Sequence, residues 1–242
     1  MTDTSQKTPR LVLVTGASRG IGRAAALHLA RQGAIVIAVA RSKAALEKLD
    51  DEIRALGSEA ILVPMDLKDT KGIETLGTII AERFGRLDGF VGNAGILGTI
   101  GPIDTCGPRS FEETIAVNLT ANFHLIRALA PSLNKAEAPR VVFVSSGVAR
   151  APRAFWGPYQ AAKAGLEALA LAWADENENL KLRVNLFNPG GTRTGMRAEA
   201  MPGEDPMTLP SAEDVAAELV KLVSADETRT GALVSYRDVA GV

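Results

Sequence analysis

The chain has 242 residues, carries 27 Lys and Arg against 28 Asp and Glu for a formal net charge of −1, and is 46% hydrophobic and 23% charged. This is ordinary soluble globular composition, and a chain of this length buries roughly 70 to 75% of its unfolded surface, enough for a core without disulfides or a structural metal. The charge balance excludes nucleic-acid and anionic-membrane partners on electrostatic grounds, since those require clustered excess Lys and Arg.

Cys106 is the only cysteine, and His28 and His124 stand far apart, so neither a disulfide nor a zinc site is expected and no metal is assigned. Residues 1–9 read as a polar tail without the apolar segment of a signal peptide. Apolar runs such as Ala34 to Ala40 fall far short of the about 20 residues that span a bilayer, and a cytoplasmic location is expected.

From there, short β-branched runs alternate with stretches of helical spacing. Strands are predicted at Leu11 to Thr15, Ile35 to Ala40, Ala60 to Pro64, Gly89 to Gly92, Val141 to Ser145, Arg183 to Phe187 and Ala232 to Ser235. Helices are predicted at Ile21 to Gln32, Lys43 to Leu56, Asp69 to Phe84, Ser110 to Leu133, Pro158 to Glu178 and Ala212 to Ser224. Strands apolar on both faces, each followed by a helix that can serve as a crossover, imply an α/β fold with a doubly wound parallel sheet of seven strands, Rossmann-like, with helices on both faces. No linker or composition shift divides the chain, so one domain over 1–242 is expected. The stretch from Asn188 to Pro210 has no clear periodicity, and its length inside a compact domain marks it as a candidate substrate lid.

Directly after the first strand stands Thr15-Gly16-Ala17-Ser18-Arg19-Gly20-Ile21-Gly22, followed by an amphipathic helix. Its glycines permit a tight turn that brings backbone N–H groups and a helix N-terminus against a pyrophosphate. The spacing is G-x-x-x-G-x-G, and no Gly-Lys-Ser/Thr follows, which excludes a P-loop. In dinucleotide-binding sheets an Asp or Glu after the second strand binds the ribose 2′-hydroxyl of NAD; here the position reads Ala40-Arg41-Ser42. Arg41, with Arg19, can instead pair with a 2′-phosphate, which points to NADP(H). The competing readings are a solvated Arg41 and a Ser42 that merely caps the next helix.

Tyr159 and Lys163 sit four apart in a predicted helix and project from one face, where an ammonium could lower the phenol's pKa. Ser146, thirteen residues before Tyr159 at the end of the fifth strand, could bond a substrate carbonyl and the Tyr159 oxygen together, with Ser145 as the structural alternative.

These motifs resemble the short-chain dehydrogenase/reductase family. The resemblance implies that Asp66 and Leu67 contact the adenine, that Asn93-Ala94-Gly95 is the N-A-G element after the fourth strand, and that Pro189, Gly190, Thr192 and Thr194 belong to the segment holding the nicotinamide amide. Gly92 departs from the family's commonly seen Asn at the first position of that element. Asn118 is similar to the helix asparagine that holds a water in a proton relay behind the lysine. The implied reaction is reversible hydride transfer between a nicotinamide and a small-molecule carbonyl or alcohol. Tyr159 would handle the proton, Ser146 would polarise the carbonyl, and Lys163 would grip the ribose and tune Tyr159.

Asn188-Pro189-Gly190-Gly191-Thr192-Arg193-Thr194, Met196-Arg197-Ala198 and Trp156-Gly157-Pro158-Tyr159 further resemble the bacterial YciK-like oxidoreductases. Family resemblance also implies a homodimer or homotetramer built on the fourth and fifth predicted helices. Around the site, Phe155, Trp156, Met196, Met201 and Met207 suit an adaptable apolar pocket. Arg150, Arg153, Arg193 and Arg197 suit either an anionic substrate or solvent and acidic neighbours. The alternative function is a non-catalytic NADP-binding sensor or scaffold of the same fold, which would be expected to lack Tyr159 or Lys163. A methyltransferase on a similar sheet would leave the Tyr, Lys, Ser and Arg41 set without purpose.

Overall fold

The structure, a computed structural model, describes residues 8–241; most of the expected polar tail, residues 1–7, and residue 242 lie outside the described residues. Among the described residues the chain runs β1 (Leu11–Thr15), α1 (Gly20–Arg31), β2 (Ile35–Ala40), α2 (Lys43–Ala55), β3 (Ala60–Pro64), α3 (Thr70–Phe84) and β4 (Gly89–Gly92). It continues through α4 (Pro108–Ile115), α5 (Ala121–Leu133), β5 (Arg140–Val144), α6 (Gly157–Glu176), β6 (Arg183–Asn188), α7 (Gly195–Ala200), α8 (Ala212–Lys221), β7 (Leu233–Ser235) and α9 (Tyr236–Ala240).

The strands form one parallel sheet in the order β3-β2-β1-β4-β5-β6-β7, the doubly wound Rossmann-like architecture. Alternation along β1 shows why helices cover both faces. Val12 and Val14 pack with α1, α2 and α8, whereas Leu11 and Leu13 pack with α3, α5 and α6. A strand buried on both faces has no polar side to offer solvent, so each crossover must return over one face or the other. The order in which successive strands are added to the sheet reverses between β1 and β4, opening a crevice at the carboxyl ends of the strands.

Three regions depart from the sequence expectation. The predicted helix Ser110 to Leu133 is two helices, α4 and α5, joined through a π-helical segment, Ala116–Thr120. The wider turn is held by a tertiary pair of bonds from Asn118 to the backbone of Ile96 and by a local bond in which Asn122 Nδ2 donates to the Asn118 carbonyl oxygen at 2.9 Å. Hydrophobic periodicity does not register such a single-turn widening. Secondly, the stretch Asn188 to Pro210 contains α7, capped by the Thr194 hydroxyl, and a 3₁₀ turn, Pro206–Thr208. Its ends are drawn together by a bridge between Arg193 and Ser211. Thirdly, β7 passes directly into α9. Gly92 is explained by packing, since a Cβ there would lie 2.5 Å from the Phe143 ring, which is fully buried edge-on against Phe90.

Candidate active site

The crevice between β1 and β4 is a cleft with a cavity volume of about 230 Å³. Gly16, Ser18, Arg19, Gly20, Ile21, Arg41, Asp66, Leu67, Asn93, Ala94, Gly95, Tyr159, Lys163, Pro189 and Thr194 line it together, although they come from six separate stretches of chain. Its geometry starts at Thr15, whose buried hydroxyl accepts from the N–H groups of Asn93 and Ala94 at 3.0 and 3.1 Å and donates to the Val91 carbonyl at 3.3 Å. The Asn93 side chain donates back to the Thr15 carbonyl at 2.9 Å. The two loops of the crevice are thereby stitched to each other.

Gly16 adopts φ +67°, in the left-handed region that a side chain would strain. A Cβ on Gly22 would run into the Gly16 carbonyl and the Asn93 side-chain amide. Gly22 therefore packs the helix against the loop and does not line the cleft. The N-terminus of α1 opens on the cleft with no side-chain cap, in contrast to α2, α3 and α8, which are capped by Ser42, Asp69 and Ser211. Its free N–H groups and positive dipole end suit an anion.

At the β2 end, Arg19 and Arg41 are exposed, line the cleft, and among the described residues pair with no carboxylate. Ser42 accepts from the Ala45 N–H at 3.3 Å as the cap of α2 and lies off the cleft. Pyrophosphate-facing N–H groups at one place and two unpaired guanidinium groups at another are the donor set that a dinucleotide with an extra phosphate requires. The residues present fit NADP(H).

At the other end of the cleft stand Tyr159 and Lys163, 8% and 2% exposed on one face of α6. Lys163 Nζ donates to the Val144 carbonyl at 2.7 Å and lies 5.8 Å from the Tyr159 ring centre. The expectation that the ammonium lowers the phenol's pKa is corrected in this geometry. Burial pushes Tyr159 up to about 12, with the nearby Ser146 side chain pulling the other way, and burial lowers Lys163 to about 8 against the opposing charge of Glu167. Desolvation penalises both charged forms, and the lysine's short bond goes to a backbone oxygen, not to the phenol.

Asn118 is fully buried, with Oδ1 accepting from the Ile96 N–H at 2.8 Å and Nδ2 donating to the Ile96 carbonyl at 2.9 Å. Its amide thus holds the loop after Gly95. A Cβ on Gly95 would meet Asn118 Oδ1 at 3.2 Å and Lys163 Nζ at 3.7 Å, so the glycine lets these three groups converge.

Ser146 lines a second cavity, which shares Tyr159, Ser145, Pro189, Thr194 and Met196 with the cleft. Gly190 and Thr192 also line it, the latter buried with its hydroxyl on the Pro189 carbonyl at 3.2 Å. One wall is apolar, made by Leu97, Val148, Trp156, Met196 and Ala200 around Tyr159. Two of the four nearby arginines have internal acidic partners. Arg150 binds Glu167 at 2.8 Å, and Arg197 holds Glu204 in a two-pronged pair at 2.5 and 2.6 Å that braces α7. Arg153 stacks over Trp156 at 5.0 Å, and Arg193 faces the Met207 sulfur. Reading the sequence alone gave Thr15 no role beyond its place at the head of the glycine motif, and it passed over Glu167, which could have been found from its position four residues after Lys163.

A family model described as short chain dehydrogenase matches residues 10–205, and the chain belongs to that family of oxidoreductases. A protein of Escherichia coli strain K12, an uncharacterized oxidoreductase called YciK, is 41% identical over 223 residues, covering 91% of this chain and 88% of its own. A short-chain dehydrogenase from Escherichia coli CFT073, solved in complex with NADPH, is 39% identical with a TM-score of 0.90, covering 94% of this chain and 96% of its own. Another from Shigella flexneri 2a, solved in complex with NADP, is 38% identical with a TM-score of 0.90, covering 94% and 97%. Among the described residues no helix is long and apolar enough to cross a membrane.

Proposed function

We propose that the protein is an NADP(H)-dependent carbonyl reductase or alcohol dehydrogenase, with binding and chemistry in one domain. The observation that carries this reading is the place of Tyr159, which stands where the cofactor cleft meets the second cavity and lines both. Bound NADP(H) supplies a hydride at its nicotinamide. The cleft's uncapped α1 N-terminus and Arg19 and Arg41 hold its phosphates, Asp66 and Leu67 face its adenine, and Pro189 and Thr194 lie at the nicotinamide end. The NADP and NADPH complexes of the two related structures support this choice of cofactor.

At the reacting carbonyl, Ser146 donates a hydrogen bond that orients and polarises the oxygen, and the Tyr159 hydroxyl delivers the proton. With its pKa held near 12, Tyr159 is neutral at physiological pH and carries the proton that the carbonyl oxygen needs on reduction. Lys163 at about 8 is largely an ammonium at pH 7, placed to bind ribose hydroxyls. Asn118 keeps the loop after Gly95 against this group through Ile96. The α7 segment, braced by Arg197 and Glu204, closes the second cavity as a lid. Exposed Phe111, Phe123 and Leu171 on α4, α5 and α6 provide an apolar face for a homodimer or homotetramer.

The test is fluorescence titration with NADPH and NADH, followed by a panel of aldehydes, ketones, quinones and 3-oxoacyl thioesters monitored for NADPH oxidation. Preferential NADPH binding with turnover of one class, reduced about 10²-fold or more by Tyr159→Phe at unchanged NADPH affinity, is the expected result. Unchanged turnover in Tyr159→Phe would sink the assignment of the acid. Tight NADPH binding without turnover of any panel member would favour the sensor alternative.

A further inference from the structure

Tyr159, Lys163 and Glu167 follow one another at intervals of four along α6 and share one buried face. The reaction as assigned uses the first two and leaves the third without a role. A carboxylate that is 6% exposed is costly to keep unless it is paired, and Glu167 has two short partners. Its Oε1 accepts from the Ser145 hydroxyl at 2.6 Å, and its Oε2 accepts from Arg150 Nε at 2.8 Å.

These contacts fall on the segment that carries the chemistry. The Ser145 N–H donates to the Phe187 carbonyl at 2.8 Å, which makes Ser145 the last residue held by the β5–β6 ladder. Ser146 follows it and opens a 3₁₀ turn, Gly147–Ala149, which leads to Arg150. Three successive turns of α6 therefore hold three consecutive residues: Lys163 grips the Val144 carbonyl, Glu167 the Ser145 hydroxyl, and Tyr159 stands beside Ser146. Glu167 is also the carboxylate whose charge bears on Lys163. Among the described residues, the groups near Lys163 from other elements are the Val144 carbonyl, the Asn118 amide and the Gly95 backbone, none of which titrates, and its own helix adds Tyr159 and Glu167.

We propose that Glu167 is a positioning residue of the reaction, which aims Ser146 by holding Ser145 and serves as the buried counter-charge of Lys163, with Arg150 anchoring its second oxygen. The proposal rests on the reading of Ser146, Tyr159 and Lys163 as the reacting set. Replacing the carboxylate by an amide leaves Lys163 to face burial alone. The carboxylate's charge opposes the lowering of the Lys163 pKa by burial, so its removal is expected to lower that pKa further.

The experiment uses full-length protein labelled with [ε-¹³C]lysine, in which the resonance missing from Lys163→Met identifies Lys163 without any substrate. In Glu167→Gln its titration midpoint is expected to fall by about one unit. Turnover of the best carbonyl of the panel is expected to fall at least about 10-fold, with KM and NADPH affinity within about 3-fold of wild type. An unmoved midpoint, or a moved midpoint with undiminished kcat, would overturn the proposal. If Glu167→Gln does not fold, Ser145→Ala removes the other end of the bond. It is expected to lower kcat while leaving the Lys163 midpoint in place, and an unchanged kcat overturns the aiming role. Tyr159→Phe separates the two levels: if it still turns over, the reacting set is wrong, whereas if it is inactive and Glu167→Gln is normal, only the role of Glu167 fails.

Discussion

Removal of the two cleft arginines makes the sharpest quantitative test of cofactor choice, because NADH provides an internal control that lacks only the 2′-phosphate. Arg19 and Arg41 line the cleft and have no acidic partner among the described residues, so replacing them by Ala breaks no ion pair within the fold. A charge-assisted hydrogen bond contributes about 1.5–3 kcal/mol, and the exposure of both side chains to solvent and salt places each near the lower end. At about 1.4 kcal/mol per decade, each single substitution should raise the Kd for NADPH about 10-fold, and the pair about 100-fold if their effects add. The Kd for NADH should stay within about 3-fold. Arg41→Lys should recover only part of the loss, since an ammonium keeps the charge without the planar fork. Cofactor fluorescence titrations at two salt concentrations measure all of this, and the NADPH curve of the double variant should respond less to salt than that of wild type. If the NADPH to NADH affinity ratio does not move in the double variant, the phosphate is bound elsewhere and the assignment of Arg19 and Arg41 is wrong.

Other perturbations probe the frame around the site. Gly22→Ala forces a methyl into the Gly16 carbonyl and the Asn93 amide. A loss of about 1–3 kcal/mol in urea unfolding is expected together with weakened NADPH binding, and a variant with wild-type values of both would contradict the packing argument. Arg140 is buried and donates to the carbonyls of Glu227, Pro139, Lys181 and Ala225 at 2.6 to 3.1 Å. Arg140→Met should destabilise the fold by about 2–4 kcal/mol by removing these buried hydrogen bonds, and a cost below about 1 kcal/mol in denaturant titration would refute it. Lys163 titrates near 8 in the fold against 10.5 unfolded, so below pH 8 both states are charged and the folded state bears the desolvation cost. Wild type should therefore gain stability relative to Lys163→Met as pH rises from about 8 to 10.5. Tyr159 works the other way, since its fold-raised pKa near 12 costs stability once pH exceeds about 10. Unfolding curves across that range check both signs. Light scattering coupled to size exclusion tests the apolar face of α4, α5 and α6. A multimer that Phe123→Glu dissociates is expected, and a monomeric wild type would rule the interface out.

Much of this protein is written locally. The inner strands are apolar at most positions on both faces, which dictates burial on both faces, and the runs are followed by helical repeats long enough to cross over. A parallel, doubly wound sheet follows from those two facts. The glycine loop after β1, the missing acid after β2 and the Tyr159/Lys163 interval are likewise local, because a tight turn, a charge and a helical spacing depend on near neighbours alone. What depends on distant neighbours is absent from the sequence pattern. The π segment around Asn118 is held by Ile96, and Gly92 is small because the Phe143 ring occupies the space beside it. The pKa of Tyr159 reverses the sequence expectation for the same reason. Helical spacing places Lys163 near it, but only the packed structure shows that the ammonium is spent on the Val144 carbonyl while burial acts on both groups. The partners of Arg150 and Arg197 are also tertiary facts. Spacing fixes which residues share a face, whereas desolvation and hydrogen-bond competition are set by what the rest of the chain brings against that face, and only the folded structure decides them.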